Sequence, residues 1–466
     1  MNAFDDTIFD PALIRQFDVS GPRYTSYPTA DRFVEACNSE ASLAWLHRRS
    51  IGGTGGISKP LSLYVHIPFC NTICYYCACN KIITKDHSRS ARYITYLEKE
   101  MAMQAAALDG THDVVQLHLG GGTPTFLSND ELRQLMASIR RHFNLLPQGE
   151  YSIEVDPRKV DEATVALLAE LGFNRMSVGI QDFDVDVQEA VNRLQSFDET
   201  FNVIQAARHH GFQSISVDLI YGLPKQNIFS FKETLHKVLE LDPDRISLYN
   251  YAHLPALAKP QRRINEADLP DADAKLQLLQ MAIRFLRDAG YVYVGMDHFA
   301  KPEDELAVAQ RQGWLHRNFQ GYSIHADADL ISFGVSAISN VGASYMQNYK
   351  TLDDYYDALD RNVLPVMRGI EMSADDLLRR SIIQALMCHF ELSIESIEIA
   401  YMIDFQKYFA TELENLREME SAGLLKVSPQ YISIEPRGRL LVRAIAMVFD
   451  RYLRKDQERK RYSRVI

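Results

Sequence analysis

The chain has 466 residues, of which 46 % are hydrophobic and 24 % charged, with 50 Lys and Arg against 61 Asp and Glu for a formal charge of −11. This balance excludes a fibrous, collagenous or largely disordered chain, and the length suits one large α/β domain with an appendage or two to three ordinary domains. The acidic balance argues against a general nucleic-acid footprint, no apolar run approaches the roughly 18 residues of a membrane span, and the start Met1-Asn2-Ala3-Phe4-Asp5-Asp6 is unlike a secretory leader, so a cytoplasmic protein with no nucleic-acid or membrane partner is expected.

Residues 1–60 are expected to form an N-terminal arm with a short helix at 41–49 and a Gly-rich connection at 51–60. A rhythm then begins. Apolar or β-branched runs at 61–67, 114–119, 151–155, 175–180, 214–220 and 245–249 alternate with amphipathic stretches at 90–107, 129–143, 162–171, 197–210 and 229–241. Such alternation predicts stacked βα units and a parallel sheet or barrel. A seventh candidate strand, 291–296, follows a helical stretch at 272–289 and is expected to close or border the sheet. Parallel strands gather their C-terminal ends on one face. Cys70, Gly120 to Thr123, Glu154, Asp156, Gln181, Asp218 and Tyr249 to His253 all stand at such ends. The main domain is placed at 61–365. The remaining 366–466 reads as a mainly helical domain, with helices at 373–388, 405–422 and 438–453 and a hairpin at 424–427 and 431–434. That is a winged-helix-like pattern, but a small fold does not fix a DNA-binding role.

Four of the six cysteines, Cys70, Cys74, Cys77 and Cys79, fall within ten residues, while Cys37 and Cys388 stand apart. The cluster suits a metal site in a reducing compartment rather than a disulfide framework. Structural zinc takes two separated ligand pairs, and no second pair stands at the expected distance, so zinc is the weaker reading. Three thiolates in one loop suit three irons of a [4Fe–4S] cube, with the fourth iron open to a small molecule.

The C-x3-C-x2-C spacing after the first strand resembles the radical S-adenosylmethionine (SAM) enzymes. More narrowly, the chain resembles the oxygen-independent coproporphyrinogen III oxidases over nearly its whole length. The matching segments are Ser20-Gly-Pro-Arg-Tyr-Thr-Ser-Tyr-Pro-Thr29, Tyr64-Val-His-Ile-Pro-Phe-Cys70, Cys79-Asn-Lys81, Gly120-Gly-Gly-Thr-Pro-Thr125 and Glu154-Val-Asp-Pro157. They continue with Gly179-Ile-Gln-Asp-Phe183, Asp218-Leu-Ile-Tyr-Gly-Leu-Pro-Lys225, Tyr249-Asn-Tyr-Ala-His253, Arg317-Asn-Phe-Gln-Gly-Tyr322 and Tyr462-Ser-Arg-Val-Ile466. The resemblance implies a partial (β/α)6 barrel, a [4Fe–4S] cluster on Cys70, Cys74 and Cys77, and two SAM molecules. It also implies oxidative decarboxylation of two propionates of coproporphyrinogen III to vinyl groups, giving protoporphyrinogen IX for haem biosynthesis, with a reducing donor protein as partner. A monomer is expected.

Residue by residue, the same resemblance puts Tyr64, Gly121, Glu154 and Ile338 on the first SAM. It puts Tyr76, Gly122, Thr123, Gln181, Arg193, Asp218 and Ala252 on the second. Tyr76 stands where the family often has Phe. Glycines admit a ligand close to the backbone, an Arg fork matches a carboxylate, and Asp218 suits ribose hydroxyls. His66 and Cys79 are taken as catalytic-site residues, and His118 and His298 as structural. A substrate with four carboxylates calls for basic residues, for which Arg23, Arg262, Arg263, Arg317 and Arg464 are the candidates. Two other readings compete. One is a haem-binding chaperone of the same superfamily, which lacks the Cys79-Asn-Lys81 segment and carries a His-Asn-x-x-Tyr-Trp element not found in this chain. The other is a zinc-bearing scaffold that binds DNA through its tail.

Overall fold

The computed structural model describes residues 9–49 and 59–455. Most of the expected Gly-rich connection, and Arg464, lie outside the described residues. The described chain forms two compact units: a larger one within 33–285 and 327–371, and a smaller one within 1–32, 286–326 and 372–466.

The larger unit is built on strands β1 (Leu61–Ile67), β2 (Asp113–Gly121), β3 (Asn144–Val155), β4 (Arg175–Gln181), β5 (Ser214–Tyr221) and β6 (Arg245–Asn250). They pair in chain order, all parallel. The six expected strands are therefore present. Helices α1 (Ser88–Ala107), α2 (Asn129–His142), α3 (Glu162–Glu170), α4 (Phe197–His209) and α5 (Ile228–Glu240) fall between them. Each start from α2 to α5 is written in the sequence. Ser128 with Glu131, Ser196 with Glu199 and Asn227 with Ser230 form capping boxes, and Asp161 accepts from Thr164 N.

On its other edge β1 pairs in parallel with β7 (Asp329–Phe333), followed by the antiparallel β8 (Ile338–Val341), β9 (Ser344–Asn348) and β10 (Val366–Glu371). These four strands were not expected. They are short, and their apolar positions do not form a long run. The sheet is open rather than a closed barrel, in keeping with the partial barrel expected.

Alternation along the strands sorts the chemistry of the two faces. On β1, Leu61, Leu63, Val65 and Ile67 are fully buried, while Ser62, Tyr64 and His66 point the other way. The polar face continues laterally. Ser62 Oγ donates to Gln116 Oε1 at 2.8 Å, Tyr64 is paired with His118, and His118 with Ser152.

In the smaller unit, Val292–Gly295 is the expected seventh strand and pairs antiparallel with His298–Ala300. Helix Ala374–His389 matches expectation, as do strands Leu425–Val427 and Tyr431–Ile434, which Glu391–Ser393 joins to make a three-stranded sheet. Two expected helices are broken. The 405–422 stretch splits into Phe405–Tyr408 and Ala410–Ser421 because buried Phe409 leaves helical geometry at φ −106°, ψ 25°. The 438–453 stretch becomes a 3₁₀ turn at Pro436–Leu441, a helix at Val442–Met447 and a new start at Arg451–Lys455, where Asp450 accepts from Tyr452 N.

Candidate active site

The cysteine loop begins where β1 ends. Phe69–Cys70 pairs in parallel with Ile82–Ile83, which closes the loop at its base. The segment after residue 190 holds its far side: Tyr75 N donates to Val191 O at 2.9 Å, and Asn192 Nδ2 to Ile73 O at 2.7 Å. Cys70, Cys74 and Cys77 consequently line one cavity together with Tyr76, Gly122, Thr123 and Arg193. All six cysteines of the chain are free thiols.

The glycine turn at the end of β2 is a fitted wall. A Cβ on Gly122 would stand 2.7 Å from the Pro68 carbonyl, and one on Gly121, which sits at φ +121°, would stand 2.7 Å from the His66 ring. Thr123 Oγ1 donates toward Cys70 Sγ at 3.5 Å. Arg193 reaches the cavity from the opposite side. Its Nη1 lies 3.7 Å from Cys74 Sγ and its Nη2 donates to Gly179 O at 2.7 Å, while its buried Nε has no hydrogen-bond partner. Nη2 is also 3.7 Å from Asp156 Oδ1, and Arg158 grips Asp156 at two points, 2.8 and 2.6 Å.

The thiols differ electrostatically. Burial pushes Cys70 up to about 11. Cys77 is pulled down to about 6 by a hydrogen bond from the Cys79 thiol and by the nearby Lys81 ammonium, which outweigh its burial. Cys79 lies at the loop surface. Its bond to Cys77, the charge on that sulfur and burial all push it well above an ordinary thiol.

Behind the glycine turn stands a second polar group. Tyr64 Oη is 3.0 Å from His66 Nδ1, and His66 Nε2 is 3.0 Å from Asn80 O. Burial lowers the His66 pKa, so the ring is held neutral. Tyr64 stacks on His118 at 5.9 Å, and His118 spans Ser152 Oγ (2.6 Å) and Glu154 Oε1 (3.4 Å). Glu154 Oε2 accepts from Gly121 N at 3.1 Å, so this carboxylate faces the turn. Asp218 is raised to about 6 by burial and by Glu154, and Ser177 Oγ donates to it at 3.2 Å. Gln181 stands at φ +70° beside a register shift in β4, and an added Cβ on Gly179 would lie 3.0 Å from Gln181 Nε2 and 3.1 Å from Arg193 Nη2. Ser332, the β7 partner of Tyr64, donates to Ile338 O at 2.6 Å and so ties Ile338 to the β1 edge.

Residues 64–238 match the Radical SAM superfamily and 372–441 the HemN C-terminal domain. The oxygen-independent coproporphyrinogen III oxidase of Pseudomonas aeruginosa is 52 % identical over 464 residues, covering 99 % of this chain and 100 % of that one. The chain belongs to the oxygen-independent coproporphyrinogen III oxidases. The oxidase of Escherichia coli K12 is 47 % identical over 458 residues, 98 % of each chain. The solved structure of coproporphyrinogen III oxidase (HemN) from Escherichia coli, described as a radical SAM enzyme, superposes with a TM-score of 0.91 at 46 % identity, covering 96 % of this chain and all of that one.

Against that family background, the candidate basic residues fall into different settings. In the larger unit, Arg262 is exposed and bonds Pro255 O at 3.0 Å, and Arg263 is exposed over the Tyr75 ring at 5.4 Å. In the smaller unit, Arg23 is ion-paired with Asp297, whereas Arg317 is 3 % exposed and pairs with no carboxylate among the described residues. The Arg317 guanidinium lies 4.8 Å over Tyr322, and its buried Nη1 has no hydrogen-bond partner. His298 packs edge-on against Tyr322, with ring centroids 5.2 Å apart.

Two residues that sequence reasoning did not place at the site stand among the candidate site residues. His118, taken as structural, bridges Tyr64 and Glu154. Gln261, 3 % exposed, donates from one amide nitrogen to both Tyr76 O (2.9 Å) and Ala252 O (3.1 Å), joining two positions assigned to the second SAM. The His118 signal was available, since it alternates with Gln116 and Gly120 on the polar face of β2. Gln261 carried none, being an uncharged residue before the conspicuous Arg262-Arg263 pair.

Proposed function

We propose that the chain catalyses the oxygen-independent oxidative decarboxylation of two propionates of coproporphyrinogen III to vinyl groups, giving protoporphyrinogen IX. The observation that carries this reading is the convergence of Cys70, Cys74 and Cys77 on one cavity that Gly122 of the glycine turn also lines. Three thiols with no fourth in the cavity fit a cluster with one open iron, and side-chain-free backbone at Gly121 and Gly122 fits a ligand lying against that iron. When bound, the [4Fe–4S] cluster and SAM supply one-electron cleavage of the sulfonium and a carbon radical for hydrogen abstraction.

The chain's own residues orient and shield that chemistry. Glu154, held to Gly121 N and His118, offers a carboxylate to the SAM ammonium. Arg193 is fixed by Gly179 O and offers its fork to a carboxylate, and Asp218 offers its oxygens to ribose hydroxyls. Tyr64 and Ile338 would hold the first SAM, and Tyr76, Thr123, Gln181 and Ala252 a second. His66, neutral, fixes the Tyr64 hydroxyl and the Asn80 turn, and the Cys79 thiol hydrogen-bonds the Cys77 sulfur and favours its thiolate form. Among the basic candidates Arg317 is best suited to a propionate, because a buried guanidinium with no carboxylate partner has an unanswered charge. No helix among the described residues is long and apolar enough to cross a membrane. A cytoplasmic monomer served by a reducing donor protein, without nucleic-acid or membrane partners, completes the reading.

The test is anaerobic turnover. The cluster is reconstituted, reductant, SAM and coproporphyrinogen III are added, and 5′-deoxyadenosine, CO2 and tetrapyrroles are quantified. Two CO2 per tetrapyrrole with protoporphyrinogen formed is the expected result. SAM cleavage with coproporphyrinogen intact, or a stable stoichiometric haem adduct without decarboxylation, would overturn the substrate assignment.

A further inference from the structure

We infer that Glu162, His209 and His210 form a second metal site, for a zinc-class divalent cation, joining helices α3 and α4 of the larger unit. The site rests on geometry outside the cysteine cavity and does not depend on the oxidase reading. One ligand atom from each residue lies within 4.8 Å of the other two. Glu162 is the first residue of α3, and His209 is the last of α4, with His210 as its cap.

Four further observations point to a cation. His210 Nε2 is buried and has no hydrogen-bond partner, yet it lies 3.8 Å from Glu162 Oε1, too far for a hydrogen bond and close to the spacing of two ligands on one ion. The neighbouring carboxylates are already engaged. Asp161 caps α3 through Thr164, and Glu199 closes the capping box of α4, which leaves Glu162 as the uncommitted acid. The end of α4 also presents C-terminal carbonyl dipoles, which favour positive charge there. A cavity of about 620 Å³ opens beside Glu162 and His209 and gives room for a water ligand.

Two imidazole nitrogens and one carboxylate oxygen form a borderline donor set, which selects Zn²⁺ and its neighbours Ni²⁺ and Cu²⁺ over Ca²⁺ or Mg²⁺. Bond lengths of about 2.0–2.2 Å require the three atoms to close from their present spacing. Glu162, whose side chain is 74 % exposed, and the exposed His209 are free to rotate inward. Because the ligands come from two helices, the ion binds only the folded chain and so stabilises it.

The test uses the cluster-loaded chain, so that the loop cysteines are occupied, dialysed against micromolar ZnCl2 with bound metal counted by mass spectrometry. One Zn²⁺ per chain beyond the cluster iron is expected. His209→Ala and His210→Ala should each weaken binding at least tenfold and Glu162→Gln several-fold. Zn²⁺ should raise Tm in the parent but not in the His209→Ala/His210→Ala pair, while all variants keep SAM cleavage, which shows that they fold. No retained zinc would overturn the proposal. So would zinc retained equally by the double-histidine variant, since the metal would then sit elsewhere.

Discussion

Glu100, on the helix behind β1, is fully buried, and four protein donors reach its carboxylate: Tyr355 Oη at 2.6 Å, Asn348 Nδ2 at 2.7 Å, Gly334 N at 2.8 Å and Gln104 Nε2 at 3.0 Å. Beside it Tyr93 Oη donates to His66 O at 2.8 Å and accepts from Val335 N at 2.9 Å. The cysteine cavity, only one strand end away, is arranged in the opposite manner. Three thiols converge, and the Arg193 Nε is unanswered. The first region uses polar groups up completely to lock β1 against β7 and β9. The second leaves them for something that is not protein. The two are joined mechanically, because Tyr93 grips the carbonyl of His66, whose ring supports the glycine turn.

The largest effect on the open region should come from removing a thiol. Cys70→Ser, Cys74→Ser or Cys77→Ser is expected to abolish SAM cleavage and to lower iron and sulfide content, measured by metal analysis and 5′-deoxyadenosine release. Cys79→Ser should keep its iron. Next is Gly122→Ala, whose methyl would collide with the Pro68 carbonyl; the displaced turn should cut SAM cleavage about 10²-fold with iron content retained. The saturated region should answer to pH instead. Burial lifts Glu100 from an ordinary 4.5 to about 7, so its stabilising contribution is complete below pH 4.5 and is lost as pH rises through 7. Between pH 5 and 7.5 the parent should therefore lose more stability than Glu100→Gln, by a few kcal/mol, read as diverging denaturant midpoints. The smallest effect is expected at Gln261→Leu. Losing one shared donor to Tyr76 O and Ala252 O should cost roughly 1 kcal/mol in SAM binding, a fewfold rise in KM with kcat little changed.

The six parallel strands and their helices were legible because the helix starts from α2 to α5 carry capping residues and each strand a short apolar run. That Cys70, Cys74 and Cys77 would come together was legible from their spacing in one loop and from the family resemblance, and the three do line one cavity. What escaped had physical reasons. Strands β7 to β10 are short, and β7 takes its place beside a β1 that lies some 270 residues earlier in the chain, which no local pattern encodes. The polar face of the sheet was hidden by reading strands as apolar runs: Ser62, Tyr64 and His66 alternate with Leu61, Leu63 and Val65, and His118 follows the same rule on β2. The settings of Arg262 and Arg317, one on the surface and one buried without a counter-ion, depend on packing that composition does not record.

The interleaving of the two units bears on how the molecule is made. β1 carries the entry to the cysteine loop, but its second neighbour, β7, is contributed by Asp329–Phe333. During synthesis the ribosome must deliver some 260 further residues, including a stretch that belongs to the other unit, before that edge is covered. Until then the nascent chain exposes an unpaired, strongly apolar strand edge right beside four reduced thiols. Cluster loading before that point would meet a half-built cavity, and a chain ending near residue 285 would be an aggregation hazard rather than a smaller enzyme.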